Sequence, residues 1–228
     1  MIPLIIQARM TSQRFPGKVL LKINGRPLIG YLLERLKRCK KAARVIVATS
    51  RDQSDRPICD YCRDTAVECF QGNLENVAER FKEVIEHYRL SSFIRICGDS
   101  PFIDSDIIDQ GIKVFEQEKY EIVTNCLQRS FPNGQHFEIL KSDIFIKNYP
   151  FMRDPADLEH VTQYFYRNAD KFKIYNMQAK EDYSHIKLSV DTAEDLEVFK
   201  KILGSMERPF LDYGWQEIVE IYKKIKSK

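Results

Sequence analysis

Short apolar runs alternate with segments of helical periodicity, and this alternation constrains the fold more than any other feature of the sequence. Runs typical of strands occupy residues 4–7, 45–49, 67–70 and 93–97. Helical spacing of apolar residues or helix-start signals mark residues 28–36, 57–63, 74–88 and 107–115. A regular succession of strands and helices predicts an α/β fold with a doubly wound, mostly parallel sheet. In such sheets the ligand lies beyond the carboxyl ends of the strands.

The segment from about residue 128 to 166 interrupts this pattern. It contains Pro132, Gly134, Pro150 and Pro155, which favour turns and irregular structure. The pattern returns with a predicted strand at residues 186–190 and a helix from Thr192. We therefore predict a single domain over residues 1–228, with an inserted lobe at about 128–166.

Composition and charge argue against several classes of protein. The net charge is +3, from 36 basic and 33 acidic residues, which is less basic than a dedicated nucleic-acid binder. The basic cluster at residues 35–41 ends a predicted helix, where it complements the helix dipole. The longest apolar runs are too short to span a bilayer. With six cysteines and no signal-peptide pattern, we expect a cytoplasmic protein with reduced thiols.

Three cysteines lie close together in the sequence, at Cys59, Cys62 and Cys69. Such spacing suggests zinc, but no second CxxC pair or nearby histidine completes a tetrahedral set. We interpret these residues as ordinary thiols.

The loop after the first predicted strand carries three cations. Residues 5–20 read IIQARMTSQRFPGKVL and place Arg9, Arg14 and Lys18 around Ser12 and Gly17. Guanidinium and ammonium groups suit a polyphosphate, and small residues let backbone N–H groups approach it. The sequence is neither a Walker A loop nor a GxGxxG motif. A solvated basic loop is the alternative, but a position directly after the first strand favours phosphate binding.

Two aspartates follow predicted strands. Asp99 comes after Gly98 in FIRICGDSPFID, and Asp191 lies in IKLSVDTAEDLE. Carboxylates placed in this way suit Mg²⁺ that also binds phosphate oxygens. A turn or a helix N-cap is the structural alternative for Asp99. A helix start is the alternative for Asp191, because Thr192 and Asp195 have the spacing of a capping box. We interpret Asp104 and Asp106 as residues that start the next helix.

These motifs resemble the spore coat polysaccharide biosynthesis protein F family. That family is similar to the CMP-sugar-acid synthetases for 3-deoxy-manno-octulosonate and acylneuraminate. Its opening signature is close to IIQARMGSTRLPGKVL, from which this chain differs at Thr11, Gln13 and Phe15. The segments GNLENVAERF (72–81), FPNGQHFEIL (131–140) and LEHVTQYFYRN (158–168) also resemble the family. The resemblance implies a Rossmann-like nucleotide-diphospho-sugar transferase fold, and a homodimer that uses the irregular lobe.

The resemblance also implies roles for individual residues. It implies nucleotide contacts from Gln7, Ala8, Arg9, Met10, Ser12, Arg14, Lys18, Gly72, Asn73, Asn76, Arg80 and Gly98. The catalytic residues would be Arg9, Arg14, Lys18 and Asp99, and the Mg²⁺ ligands Asp99 and Asp191. The acceptor would contact Asn133, Gln135, His136, Glu138 and His160. Helix capping by Asn73, ion pairing of Arg80 with Glu75, Glu79 or Glu83, and structural histidines are the alternatives.

From the motifs and the resemblance together, we predict a cytidylyltransferase. It would transfer CMP from CTP to an acidic sugar or sugar-like acceptor and release pyrophosphate, in surface polysaccharide or glycoconjugate biosynthesis. One alternative is a phosphate or phosphonate acceptor that gives a CDP-type product, with Arg129, Arg153 and Arg167 as candidate cations. A catalytically silent nucleotide-sensing subunit and a nucleic-acid-binding module are the others. We expect no membrane partner.

Overall fold

A seven-stranded sheet forms the centre of the computed structural model, which describes residues 1–227. The strands are β1 (Ile2–Gln7), β2 (Lys22–Ile23), β3 (Arg26–Pro27), β4 (Ala42–Ser50), β5 (Glu68–Gly72), β6 (Ser92–Cys97), β7 (Ile122–Thr124), β8 (Glu138–Lys141) and β9 (Ile174–Asn176). The order in the main sheet is β5-β4-β1-β6-β8-β7-β9, and β2 pairs with β3 separately. β1 runs parallel to both β4 and β6, whereas β8 is antiparallel to β6 and β7.

Helices cover the sheet. They are α1 (Leu28–Leu36), α2 (Arg56–Asp64), α3 (Val77–Tyr88), α4 (Ser105–Phe115), α5 (Ser142–Asn148), α6 (Pro155–His160), α7 (Gln163–Arg167), α8 (Ala193–Gly204) and α9 (Trp215–Lys226). Successive residues of a strand point to opposite faces, so β1 contributes to two cores. Leu4 and Ile6 pack in the core that includes α1, α4, α8 and α9. Ile5 packs in the core that includes α3, α5 and α7. The prediction of a doubly wound, mostly parallel α/β fold is confirmed.

The segment at residues 128–166 contributes to the main sheet as well as to its surroundings. Its strand β8 pairs with β6, with Ile139 opposite Ile94. The segment also contains α5, α6 and most of α7. Residues of this segment therefore lie directly beside the strand that leads to Asp99.

The predicted strand at residues 186–190 is wrong. Ile186, Leu188 and Val190 are buried, as the alternation suggested. In the described chain this stretch forms no strand and has one isolated bridge, between Asn133 and Lys187. Its backbone donors go to loops, since Leu188 donates to the Asn133 carbonyl at 2.7 Å and Val190 donates to the Asp99 carbonyl at 2.9 Å.

Two helix starts agree with the sequence, and one basic residue does not. The capping box of Thr192 and Asp195 begins α8, and Asp104 caps α4. Arg35, placed by the sequence in a basic cluster at a helix end, is instead buried. Its guanidinium donates to the carbonyls of Ile103 and Tyr213, so it ties α1 to two other segments.

Within residues 1–227, none of the helices has the length and apolar character needed to cross a membrane.

Candidate active site

A cavity of about 550 Å³ opens at the carboxyl ends of β1 and β6. Gln7 and Cys97 end these two strands and lie opposite each other in register. The loop after β1 contributes Ala8, Arg9, Ser12, Gln13, Arg14 and Lys18 to the lining. This volume is in the range of small-molecule sites. Its position is the one expected for a ligand in a doubly wound sheet.

Two glycines allow the backbone to follow this path. Gly17 has φ 74°, a conformation that favours glycine, and its N–H donates to the Met10 carbonyl at 2.8 Å. This bond closes the loop into a compact turn. A side chain on Gly98 would place its Cβ 2.8 Å from the Gln7 carbonyl oxygen, so the strand ends can approach only with glycine there.

The side chains of Lys18, Asp99 and Asp191 meet at one point in the cavity. Lys18 Nζ lies 3.1 Å from Asp99 Oδ2 and 3.1 Å from Asp191 Oδ1, and the lysine side chain is only 7% exposed. Arg14 also pairs with Asp191, at 2.8 Å. Burial alone would raise the pKa of Asp191, but Lys18 and Lys187 outweigh it and lower that pKa. Two carboxylates from distant parts of the chain thus face a single cationic position.

Glu159 and His160, at the end of α6, also line the cavity. Glu159 pairs with Arg9 of the first loop at 2.7 Å. The chain reverses immediately afterwards, because Val161 has φ 59° and ψ −48° and the Thr162 N–H donates to the His160 carbonyl. This is the rare, strained form of γ-turn, in which the central residue has a positive φ, and here that residue is β-branched. Backbone strain of this sort is concentrated at functional sites.

Arg95 forms part of the cavity floor. Its Nη1 donates to Glu138 Oε1 at 2.8 Å, and its Nε and Nη2 donate to Gln7 Oε1 at 3.1 and 3.0 Å. Glu138 also accepts a hydrogen bond from the Thr162 hydroxyl at 2.8 Å. Burial alone would lower the pKa of Arg95, but the Glu138 carboxylate reverses this and raises the pKa. The guanidinium is therefore a fixed positive charge in the part of the lining formed by Arg95 and Gln7, which we call the floor.

The cavity brings together many residues that the sequence motifs indicated. Those in the lining are Gln7, Ala8, Arg9, Ser12, Arg14, Lys18, Gly98, Asp99, His160 and Asp191. Sequence reasoning missed six residues that also line it: Gln13, Val19, Glu75, Arg95, Cys97 and Glu159. Cys97 and Glu159 directly adjoin indicated residues in the sequence. Arg95 had a signal of its own, a charged residue within an apolar strand.

Other indicated residues lie outside the lining in the part of the chain that the structure describes: Met10, Gly72, Asn73, Asn76, Arg80, Asn133, Gln135, His136 and Glu138. Arg80 is fully buried and donates to the carbonyls of Asn73 and Leu74, at 2.7 and 3.0 Å. Asn76 caps α3 through the Glu79 N–H. These contacts hold the turn before α3 in place.

On the acceptor side, Gln135 is buried and bonds to backbone groups of Phe102 and Asp104. Asn133 bonds through its backbone to Ile186 and Leu188. His136 is mostly buried, and its Nε2 has no hydrogen-bond partner within residues 1–227. Burial, with a smaller effect of Arg129, lowers the pKa of His136 to about 4, so the ring is neutral at physiological pH.

No group of three or more His, Cys, Asp or Glu side chains in residues 1–227 is arranged to hold a metal ion. This includes the three cysteines near α2, where Cys59 and Cys69 have their sulfur atoms 3.4 Å apart. Asp99 and Asp191 supply two carboxylates, so an ion bound there would need further ligands from a substrate.

Comparison with known proteins gives a consistent result. A family model described as cytidylyltransferase matches residues 4–221. The spore coat polysaccharide biosynthesis protein SpsF of Bacillus subtilis is 30% identical, over 96% of this chain and 93% of that protein. An 8-amino-3,8-dideoxy-manno-octulosonate cytidylyltransferase from a Shewanella species is 28% identical, over 86% of this chain and 92% of that protein.

A solved structure is similar over nearly the whole chain. The cytidylyltransferase from Leptospira borgpetersenii superimposes with a TM-score of 0.93 at 31% identity. The similarity covers 99% of this chain and 95% of the other. The cavity described above therefore lies in a fold shared along its full length with a solved protein of that description.

Proposed function

The chain belongs to the cytidylyltransferase family of nucleotidyltransferases, and from this premise we propose that its cavity transfers CMP from CTP to an acidic sugar or sugar-like acceptor. Pyrophosphate is the second product. The observation that carries the proposal is the convergence of Asp99 and Asp191 on the Lys18 ammonium, beside the basic loop. This arrangement combines cations that can bind a triphosphate with carboxylates that can bind the accompanying Mg²⁺.

The basic loop binds the triphosphate. Arg9, Arg14 and Lys18 each pair with a carboxylate in the structure, and each exchanges that partner for phosphate oxygens when CTP enters. An acceptor hydroxyl oxygen then attacks the α-phosphorus and releases its proton to solvent, and the bond to the pyrophosphate oxygen breaks so that pyrophosphate leaves. The cations stabilise the charge that develops on the leaving group. Positioning of the two substrates supplies much of the remaining rate enhancement.

Asp99 and Asp191 fit Mg²⁺. This ion prefers one or two carboxylates together with phosphate oxygens and water, and two converging carboxylates already hold a cation here. When bound, the ion would neutralise phosphate charge and could lower the pKa of the acceptor hydroxyl.

The cationic groups of the cavity favour a sugar acid over a phosphate or phosphonate acceptor. A phosphate would need cations beyond the basic loop, and Arg129, Arg153 and Arg167 are the candidates from the sequence. Within residues 1–227, none of the three lines the cavity. Arg167 is already paired with Asp154 and Asp157, at 3.0 and 2.6 Å. The name of the Shewanella relative, an octulosonate cytidylyltransferase, supports a sugar acid. The name of the Bacillus relative supports a role in polysaccharide biosynthesis.

We propose that the protein is a cytoplasmic homodimer. All six cysteines are free thiols, which suits a reducing compartment. Phe151, in the segment at 128–166, exposes 61% of its surface and is a candidate dimer contact. Light scattering of the wild-type protein and of F151E tests this, and a wild-type monomer would exclude the dimer.

Pyrophosphate release tests the function. The assay combines Mg²⁺, each of the four nucleoside triphosphates, and a panel of acidic sugars, sugar phosphates and phosphonates. We expect release with CTP and a sugar acid only. Release with a sugar phosphate would establish the alternative acceptor. Binding of CTP with no turnover of any acceptor would support the sensing subunit. Salt-dependent retention of DNA or RNA without nucleotide binding would indicate a nucleic-acid-binding module.

A further inference from the structure

The floor of the cavity holds hydrogen-bond donors that the protein does not use. A guanidinium has five N–H groups. Three of those on Arg95 donate to Gln7 and Glu138, which leaves one N–H on each terminal nitrogen. Gln7 accepts through its oxygen, so its amide nitrogen is turned away from Arg95. Among residues 1–227, the structure gives this nitrogen no acceptor. Both side chains line the cavity.

Of the two residues in the Arg95–Glu138 ion pair, the positive one lines the cavity. Both side chains are nearly buried, at 8% exposed for Arg95 and 5% for Glu138, but only Arg95 is part of the lining. A ligand at the floor meets the Arg95 guanidinium, while the other cations of the lining, Arg9, Arg14 and Lys18, pair with carboxylates elsewhere in the cavity. This matches the single charge of a carboxylate better than the double charge of a phosphate.

Several hydrogen bonds hold this guanidinium in one orientation. Glu138 Oε1 accepts from Arg95, from the Thr162 hydroxyl at 2.8 Å and from the Tyr166 hydroxyl at 3.4 Å. A donor fixed in advance loses little conformational freedom when it binds a ligand. A buried ion pair gives little stability compared with apolar residues of similar size. Its place in the apolar strand β6 therefore points to a role in binding.

We propose that Arg95 and Gln7 bind the carboxylate of the acceptor, and so select a sugar acid over a neutral sugar or a sugar phosphate. This inference rests on the proposed function and names the residues that set its substrate class. Arg95 binds through its remaining N–H groups, and Gln7 through its amide nitrogen. Glu138 and Thr162 act as positioning residues behind them.

The test compares R95K with R35K. The R95K substitution retains a positive charge beside Glu138 but removes the planar donors, whereas Arg35 is an equally buried arginine outside the cavity. The substrates are CTP, the sugar acid that the wild-type protein uses, and the methyl ester of that acid. For R95K we expect the KM of the acid to rise about tenfold or more, as the loss of a charge-assisted hydrogen bond predicts. The KM of CTP and the rate with the ester should change less than about twofold. R35K should leave both KM values unchanged.

Q7E provides a second variant should R95K fold poorly. Its carboxylate keeps a partner for Arg95 but repels an acid, so the acid KM should again rise about tenfold or more. An unchanged acid KM in both variants would overturn the role of Arg95 and Gln7. Equal use of acid and ester by the wild-type protein would also overturn it. If the wild-type protein turns over no sugar acid at all, the proposed function fails together with this inference.

Discussion

Lys18 Nζ lies 3.1 Å from Asp99 Oδ2, so a buried ammonium group occupies the point that this carboxylate would offer to a metal ion. The same ammonium lies equally close to Asp191, and Arg14 and Lys187 also pair with Asp191. Lys187 is shared with Asp195, at 2.5 Å, so three cations are balanced by three carboxylates around this point. A divalent ion alone would have to displace the Lys18 ammonium, whereas an ion that arrives with a triphosphate brings phosphate oxygens that take over the cations.

Replacing Lys18 with Met should expose the carboxylate pair. We expect K18M to bind Mn²⁺ in the absence of nucleotide about tenfold or more tightly than the wild-type protein, because the competing ammonium is gone. Titration followed by electron paramagnetic resonance measures this affinity directly. K22M, which removes an exposed lysine outside the cavity, is the control. Equal Mn²⁺ affinity in K18M and the wild-type protein would show that the lysine does not compete with a metal.

Asp99→Asn should abolish most turnover while the fold persists. Charge neutralisation by a bound metal supplies several kcal/mol in such reactions, so kcat should fall more than about a hundredfold. Pyrophosphate release gives the rate, and circular dichroism monitors the fold. D106N serves as the control, because Asp106 is an exposed residue in the first turn of α4. Near wild-type activity of D99N would remove Asp99 from the proposed mechanism.

Thr162→Val should weaken acceptor binding from behind the cavity. The change removes the hydroxyl that donates to Glu138 at 2.8 Å but keeps the side-chain shape. We expect a severalfold higher acceptor KM, an unchanged KM for CTP, and a loss of about 1 kcal/mol of stability. T162S keeps the hydroxyl and should restore acceptor binding. If T162V loses stability but both KM values stay unchanged, Thr162 has only a structural role.

The free energy of unfolding should decrease as pH falls from about 6.5 to about 4. Burial, followed by the charge of Arg129, lowers the pKa of His136 from 6.5 to about 4. Between these values the unfolded chain takes up a proton that the folded chain does not, and this favours unfolding by roughly 3 kcal/mol at most. Denaturant titrations at several pH values measure the effect.

H136Q should flatten this pH dependence over the same interval. H185Q replaces an exposed histidine and should leave the dependence as it is in the wild-type protein. An identical slope for H136Q and the wild-type protein would place the titration in other groups.

The sequence predicted the sheet and its flanking helices because these depend on local periodicity. It failed at residues 186–190, where the periodicity is that of a strand. Ile186, Leu188 and Val190 are buried as in a strand, but their backbone bonds to loops at Asn133 and Asp99. Periodicity reports which side chains are buried. It does not report where the backbone hydrogen bonds go.

In the candidate site, the basic loop and both aspartates could be identified because each follows an apolar run. The role of Arg95 could not be inferred from its position, because it lies within an apolar strand and not after one. Its partner Glu138 lies 43 positions away, on a strand that pairs in the antiparallel direction. The hydrogen bond from the Thr162 hydroxyl to Glu138 follows the turn at Val161, whose φ is positive. A β-branched residue does not suggest such a conformation. Contacts of this kind become visible only once the strands are placed beside each other.

The Arg9–Glu159 ion pair joins residues 150 positions apart in the chain. The loop proposed to bind the nucleotide and part of the wall proposed to face the acceptor are therefore encoded by separate stretches of the gene. Variation within residues 131–166 leaves the composition of the basic loop untouched. A laboratory library restricted to that stretch but keeping Glu159, and with it the ion pair to Arg9, could be selected for growth on a new sugar. It would explore acceptor preference while the proposed CTP site is retained.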